Sequence, residues 1–369
     1  LELNKQNLWP KPVIPKELWS WGRNSSGRLG LGDTVYRSSP VQVGALTTWS
    51  QIAGGSGQAI ATKTDGTLWS WGYNVQGQLG LGDVVLRSSP VQVGALTAWS
   101  RVAAGTNHSV ATKTDGTLWS WGANGSGQLG LGDTANRSSP VQIGALTTWY
   151  QVAAAGGRTF AIKTDGTLWS WGNNYAGALG LGDVVYRSSP VQIGLLTTWY
   201  EVAAGTNHTF ATKTDGTMWI WGYNTKGALG LNDTANRSSP VQVGALTTWY
   251  QGVNGGGSNF TTATKTDGTL WSWGRNNYGQ LGLGDAADRS SPVQVGALTT
   301  WYQVAAGLQH NIATKTDGTL WSWGYNVEGA LGLANVINRS SPVQVGLLTT
   351  WVRLPKMPMS RSSFVLKTP

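Results

Sequence analysis

Leu-Trp-Ser-Trp-Gly, or a near variant, returns seven times along this chain, with its second tryptophan at Trp21, Trp71, Trp121, Trp171, Trp221, Trp273 and Trp323. The copies stand 50 residues apart, except for one step of 52. A unit of that length, made of β-formers and turns, cannot bury its apolar faces alone and must stack on its neighbours. The expectation is one closed body over residues 18–369, preceded by a proline-containing arm over residues 1–17.

One copy can be followed from Ser88 to Asn124. Ser88–Gly94 reads as a short strand with Pro90 near its start, where a missing donor does little harm. Trp99–Ala104, His108–Thr114 and Leu118–Gly122 supply three more. Asp115 and Gly116 between the last two give a hairpin signal, on the reading that both central residues take positive φ. Trp119 and Trp121 fall on one face of their strand and Leu118 on the other, so both faces are occupied. Seven such units predict an all-β, seven-bladed β-propeller with four antiparallel strands per blade.

The ends sharpen this expectation. The first copy, Leu18 to Gly22, lacks the Thr-Lys-Thr-Asp-Gly that precedes the others, while the chain finishes in Ser-Phe-Val-Leu-Lys-Thr-Pro, Ser363 to Pro369. The two termini therefore supply strands of one blade, and their pairing closes the ring.

Composition narrows the function classes. The chain has 369 residues and no cysteine, which excludes disulfides and thiolate metal sites. No apolar run reaches a membrane span, so no membrane insertion is expected. Leu1 to Pro15 lack the order of a signal peptide, and a start at leucine suggests that something upstream is removed or left out. Of the 26 basic residues behind the net charge of +9, fourteen sit at two repeat positions: the lysine of Thr-Lys-Thr and the arginine of Arg-Ser-Ser-Pro. Cations spread once per repeat form a ring, whereas nucleic-acid binding gathers them on one face, so nucleic acid is not the expected partner.

Four motifs carry a family resemblance from Leu18 to Thr368. They are Trp-Gly-x-Asn-x-x-Gly-Gln-Leu-Gly-Leu-Gly-Asp (Trp71 to Asp83), Ser-Pro-Val-Gln-Val (Ser89 to Val93), Val-Ala-Ala-Gly-x-x-His (Val102 to His108) and Thr-Asp-Gly-Thr-Leu-Trp-Ser-Trp-Gly (Thr114 to Gly122). The chain resembles the regulator of chromosome condensation family, which implies a seven-bladed propeller. The family's eukaryotic founder promotes nucleotide exchange on a nuclear small GTPase and binds chromatin through a wedge and a basic tail. Nothing between the strands here is long enough for such a wedge, and the arm to Glu17 has three lysines. Other bacterial relatives inhibit enzymes through loops on one face. The near-identity of the copies is similar in style to the highly repetitive bacterial and bacteriophage members, where the propeller is a surface module.

No constellation supplies catalysis, a cofactor site or a metal site. His108, His208 and His310 share one repeat position with Gln58 and Arg158, which predicts a ring of turn-bonding side chains. Asp33, Asp83, Asp133, Asp183, Asp233 and Asp285 each precede an arginine by four residues and predict loop-fixing ion pairs. Asn335 replaces the aspartate in the last copy and predicts a looser loop there. Twenty-one of the 22 tryptophans occupy three repeat positions and read as core, leaving Trp9 as a candidate attachment residue.

The positions where the copies disagree are the candidate partner-binding sites: Arg23, Tyr36, Tyr73, Tyr175, Tyr186, Tyr223, Arg275, Tyr278 and Tyr325, with further extra residues near Gly255 to Phe260. Tyrosine and arginine on rigid loops suit protein or glycan contacts. The expected function is a non-enzymatic interaction module displayed on a virus particle or cell exterior, assembling into a larger particle. The alternative is a regulator, cytoplasmic or otherwise, that binds a small GTPase or enzyme as exchange factor or inhibitor.

Overall fold

The computed structural model describes residues 15–249, 255–355 and 361–369. They form seven four-stranded antiparallel sheets. Blade 2 shows the pattern, with strands Trp49–Gly54, Gln58–Lys63, Leu68–Gly72 and Arg87–Gln92 in that spatial order. The first strands of neighbouring blades pack on one another and lie nearest the axis, and the half-exposed fourth strands form the rim. This is the seven-bladed propeller that the repeat predicts.

The phase of the repeat differs from the sequence reading. The Arg87–Gln92 strand pairs with Leu68–Gly72, so Ser88 to Asn124 straddles two blades. Pro90 lies inside this strand, yet it harms no ladder. The strand is an outer edge, and its register against Ser70 and Gly72 shifts at this point. The Asp-Gly hairpins also differ, because only the glycine, as in Gly116 at φ +79°, takes the left-handed conformation. Thr117 donates through its backbone N–H and its hydroxyl to Asp115, which fixes the turn without a second positive φ.

Closure follows the expectation from the termini. Ser362–Lys367 lies between Trp351–Arg353 and Glu17–Gly22, and Arg37–Gln42 completes blade 1. Six consecutive residue pairs join the terminal strands, from Glu17 with Lys367 to Gly22 with Ser362. The Lys367 ammonium donates to Glu17 at 2.9 Å at the end of the seam.

Tryptophans fill each blade and tie it to the one before. In blade 3, Trp99 meets Trp119 and Trp121 edge to face at centroid distances of 6.0 and 6.2 Å. Trp121 is fully buried, and its Nε1–H donates to the Gln78 carbonyl of blade 2 at 3.0 Å. Ser109 donates to the same oxygen, so both lone pairs are used. Gly80 makes the approach feasible: a Cβ there would lie 2.7 Å from the Trp121 indole nitrogen, and its φ is +73°.

Antiparallel order gives the ring two different ends. One carries the Asp-Gly hairpins and the connections between blades. The other carries the short turns between first and second strands and the 14-residue connections from third to fourth strand, such as residues 73–86. The candidate positions from Arg23 to Tyr325 fall in the latter connections, the extra residues near Gly255 to Phe260 fall at the turn between the first and second strands of blade 6, and Trp9 lies outside the described residues.

Candidate protein interface

Each long connection is built around one asparagine. In blade 2, Asn74 accepts from the Leu79 N–H at 2.9 Å and donates to both the carbonyl and the carboxylate of Asp83. Asp83 then accepts from the Val85 N–H and from Arg87, the latter at 2.6 Å. The Val85 hydrogen bond, with the Arg87 bond behind it, holds the Asp83 carboxyl below its ordinary range. Corresponding aspartate–arginine pairs stand in blades 1 to 6 as expected. In blade 7, Asn335 still accepts from Ile337 and still takes up Asn326, so the loop keeps its frame and loses the ion pair. The Gly82 N–H donates to the Ser138 carbonyl of blade 3 at 2.8 Å, so this connection leans on the next blade.

That frame leaves the variable side chains facing outward, in two classes. Asn136, Asn236, Asp288 and Asn338 turn back to accept from the main-chain N–H of Asn124, Asn224, Asn276 and Asn326. Tyr36, Leu86 and Tyr186 replace them in blades 1, 2 and 4 and stand exposed, with the Tyr186 hydroxyl accepting from Asn173. The structure brings Tyr175 beside Tyr223 at 5.9 Å and Tyr278 beside Tyr325 at 5.0 Å. Tyr73 covers Gly57 of its own blade, and Arg275 is half-buried. These candidates form a broken ring of aromatic pairs instead of one pocket.

The histidines do not converge. The Thr159 hydroxyl donates to Gln128, so at its 2.9 Å contact with His108 it accepts from Nε2–H, which fixes the tautomer. His208 with Thr261, and His310 with Ser363, repeat the arrangement. The expected turn-bonding role is corrected here, since these side chains join one blade to the next. Gln58 and Arg158 also cross between blades, donating to Gly105 and to Gly205 and Thr206. Burial pushes His108 and His310 down to about 4 and His208 to about 3, with the Arg158 charge adding to the last. All three are neutral pins at physiological pH. Among the described residues no group of His, Asp and Glu could hold a metal, and no helix is long and apolar enough to cross a membrane.

Three residues that the repeat reading passed over mark the loop end most strongly. Glu328 of blade 7 receives Arg23 at 3.6 Å and Arg361 at 3.2 Å, and Arg28 lies beside them with its charge coupled to all three. The signal was present, since Gln or Ala stands at the Arg28 position in every other copy. By contrast, the repeat-locked lysines sit over indoles, Lys63 at 3.5 Å from the Trp69 centroid, which confirms a distributed ring for that class of cation.

An RCC1-like domain matches residues 15–256, and the regulator of chromosome condensation (RCC1) repeat matches residues 267–314 and 317–353. The chain belongs to the regulator of chromosome condensation family. A search of curated proteins finds no match. Among solved structures the chain is similar to Prp20p from Saccharomyces cerevisiae, at 21% identity and a TM-score of 0.86, over 96% of this chain and 92% of that one. Human WBSCR16 is also similar, at 21% identity and a TM-score of 0.84, over 96% and 99%. At that identity the likeness establishes the shared fold.

Proposed function

We propose that this chain is a non-catalytic protein-binding propeller that engages a partner through its loop end and regulates it. One observation carries the reading: near-identical blades concentrate their variation in the long connections of the loop end, where an internal hydrogen-bond frame holds tyrosine and arginine in fixed positions. Rigid aromatic and arginine side chains give large contact area at small entropic cost. Prp20p has been characterised for binding to Gsp1p and histones, and yeast RCC1 has been seen bound to Kap60, so the fold carries protein partners elsewhere. We favour protein over glycan because the loop-end tyrosines pack on one another in pairs and lie beside exposed aliphatic side chains. Of the two roles weighed from sequence, the regulator draws this support, whereas surface display rests on the style of the repeats alone.

Release of a fluorescent nucleotide from purified small GTPases tests the regulator. Acceleration by the full chain, abolished by alanine at Tyr278 and Tyr325, is expected. Unchanged release together with no physical association would contradict it.

A further inference from the structure

We infer that blades 7, 1 and 2 form the docking surface of the loop end, and that its partner is a protein presenting a carboxylate-rich segment flanked by apolar side chains. The inference rests on the protein-binding reading above and adds where the partner sits and what it presents.

Two independent departures from the repeat meet in this sector. The first is charge. Arg23 and Arg361 share one carboxylate, that of Glu328, and Arg28 lies beside them, so among the described residues the cluster carries uncompensated positive charge. Arg28 is nine-tenths buried and has no carboxylate of its own among the described residues. Its Nη1 donates to the Ser56 carbonyl, its Nη2 reaches Ser25 at 3.4 Å, and its Nε has no partner. Burial, followed by the charge of Arg23, lowers its pKa to about 10, which leaves it cationic at neutral pH. Arg23 and Arg361 are about a third exposed and present that charge to solvent. Arg361 also lies 5.4 Å from the Tyr325 ring, which extends the patch toward Tyr278.

The second departure is apolar. Residues 35 and 36 of blade 1, 84 to 86 of blade 2, and 336 and 337 of blade 7 are Val-Tyr, Val-Val-Leu and Val-Ile, all of them exposed. The equivalent stretches of blades 3, 5 and 6 are Thr-Ala-Asn, Thr-Ala-Asn and Ala-Ala-Asp. Blade 4 has Val-Val-Tyr but stands alone, with no arginine cluster beside it. Three adjacent blades thus put aliphatic side chains around a cationic centre. A polyanion without apolar groups would match the arginines and leave the rim uncovered, whereas an acidic, apolar protein segment matches both.

The test is fluorescence anisotropy of the full chain with a labelled 12-residue peptide of alternating Glu and Leu or Phe. A Lys-for-Glu version, a 12-nucleotide single strand and anionic vesicles serve as competing probes. Saturable binding of the acidic peptide is expected, weakened at least tenfold by Arg23→Gln with Arg361→Gln. Because those two residues border the ring closure, Leu86→Asp on blade 2 gives a second readout and should also weaken binding tenfold. Val185→Asp on blade 4, and Arg101→Gln at the opposite end, should change it less than twofold. Equal binding by the blade 1 and blade 2 variants, loss on Arg101→Gln, or tighter binding of the lysine peptide, the oligonucleotide or the vesicles would overturn the inference. If a GTPase binds the wild-type chain and both variants alike, this docking site falls while the protein-binding reading stands. If no protein or peptide binds at all, both fall.

Discussion

The two ends of the ring are made by the same blades, yet the hairpins of one end are nearly invariant, with differences confined to positions such as 100 and 101 at the start of the first strand, while the long connections of the other end differ widely. At the hairpin end, Thr-Asp-Gly-Thr recurs in six blades, and its side chains bond to one another. Asp115 takes both donors of Thr117, Thr117 accepts the Trp119 Nε1–H, and Lys113 lies over the same indole. At the loop end, the asparagine and aspartate of the frame are equally committed, and the residues between them are released. Variation begins where internal bonding stops. The equivalent positions 86 and 136 display this in miniature: Asn136 turns inward to a backbone N–H and Leu86 stands in solvent. A repeat protein can therefore hold a rigid body fixed and change its recognition surface a few residues at a time.

If that contrast is right, changes in the shared body cost stability and changes at the loop end cost binding. The largest effect should come from deleting Phe364 to Pro369, which removes most of the closing strand and its Lys367–Glu17 contact. The melting temperature is expected to fall by about 10 °C or more, with rapid proteolysis. An unchanged melting curve would show that closure is not what holds the ring. Next, Gly80→Ala should cost roughly 2–4 kcal/mol, because the new Cβ strikes the Trp121 indole in addition to the φ penalty. Gly94→Ala, at φ +58° with open space around it, should cost only about 1 kcal/mol. Denaturant titration of the pair separates packing from backbone strain.

The histidine pins give a pH signature. The unfolded chain takes up protons below about 6.5, while the folded one resists until about 4 for His108 and His310 and about 3 for His208. Stability is thus unaffected by these groups above the unfolded value and falls as pH drops from there toward 4. The loss is on the order of 3 kcal/mol per histidine at the lower bound. Carboxylates such as Asp83, whose folded pKa is depressed, lose their contribution only at still lower pH. Replacing all three histidines with glutamine, the residue that bridges blades at Gln58, should flatten the slope of melting temperature against pH between 6.5 and 4. A slope that survives the replacement would place the sensitivity elsewhere. The smallest effect is expected for Tyr175→Ala, within about 1 kcal/mol, since its partner Tyr223 is also at the surface.

Much of the fold could be read from the chain because its information is repeated. Period, strand faces and the split blade all follow from the tryptophans and the truncated first copy. The phase was not legible, because Arg87–Gln92 pairs backward with Leu68–Gly72 and nothing in its own residues says which neighbour it joins. The role of the histidines was missed for a related reason: their partners Thr159, Thr261 and Ser363 lie 51 or 53 residues away in sequence. Arg23 is singled out by the sequence, but its clustering with Arg28 and Arg361 is not, because these residues come from opposite ends of the chain and meet only when the ring closes. Here the exceptions to the repeat were the signal.

The most direct test of the account is a loop transplant that gives blades 1, 2 and 7 the surface of blade 5. The substitutions are Val35→Ala, Tyr36→Asn, Val84→Thr, Val85→Ala, Leu86→Asn, Val336→Thr and Ile337→Ala, with melting temperature and acidic-peptide affinity measured on the same preparation. The account predicts a melting temperature within a few degrees of wild type (~1 kcal/mol), with binding reduced at least tenfold. A collapse of stability, or a stable ring that binds as well as before, would contradict the division between an invariant body and a recognising end.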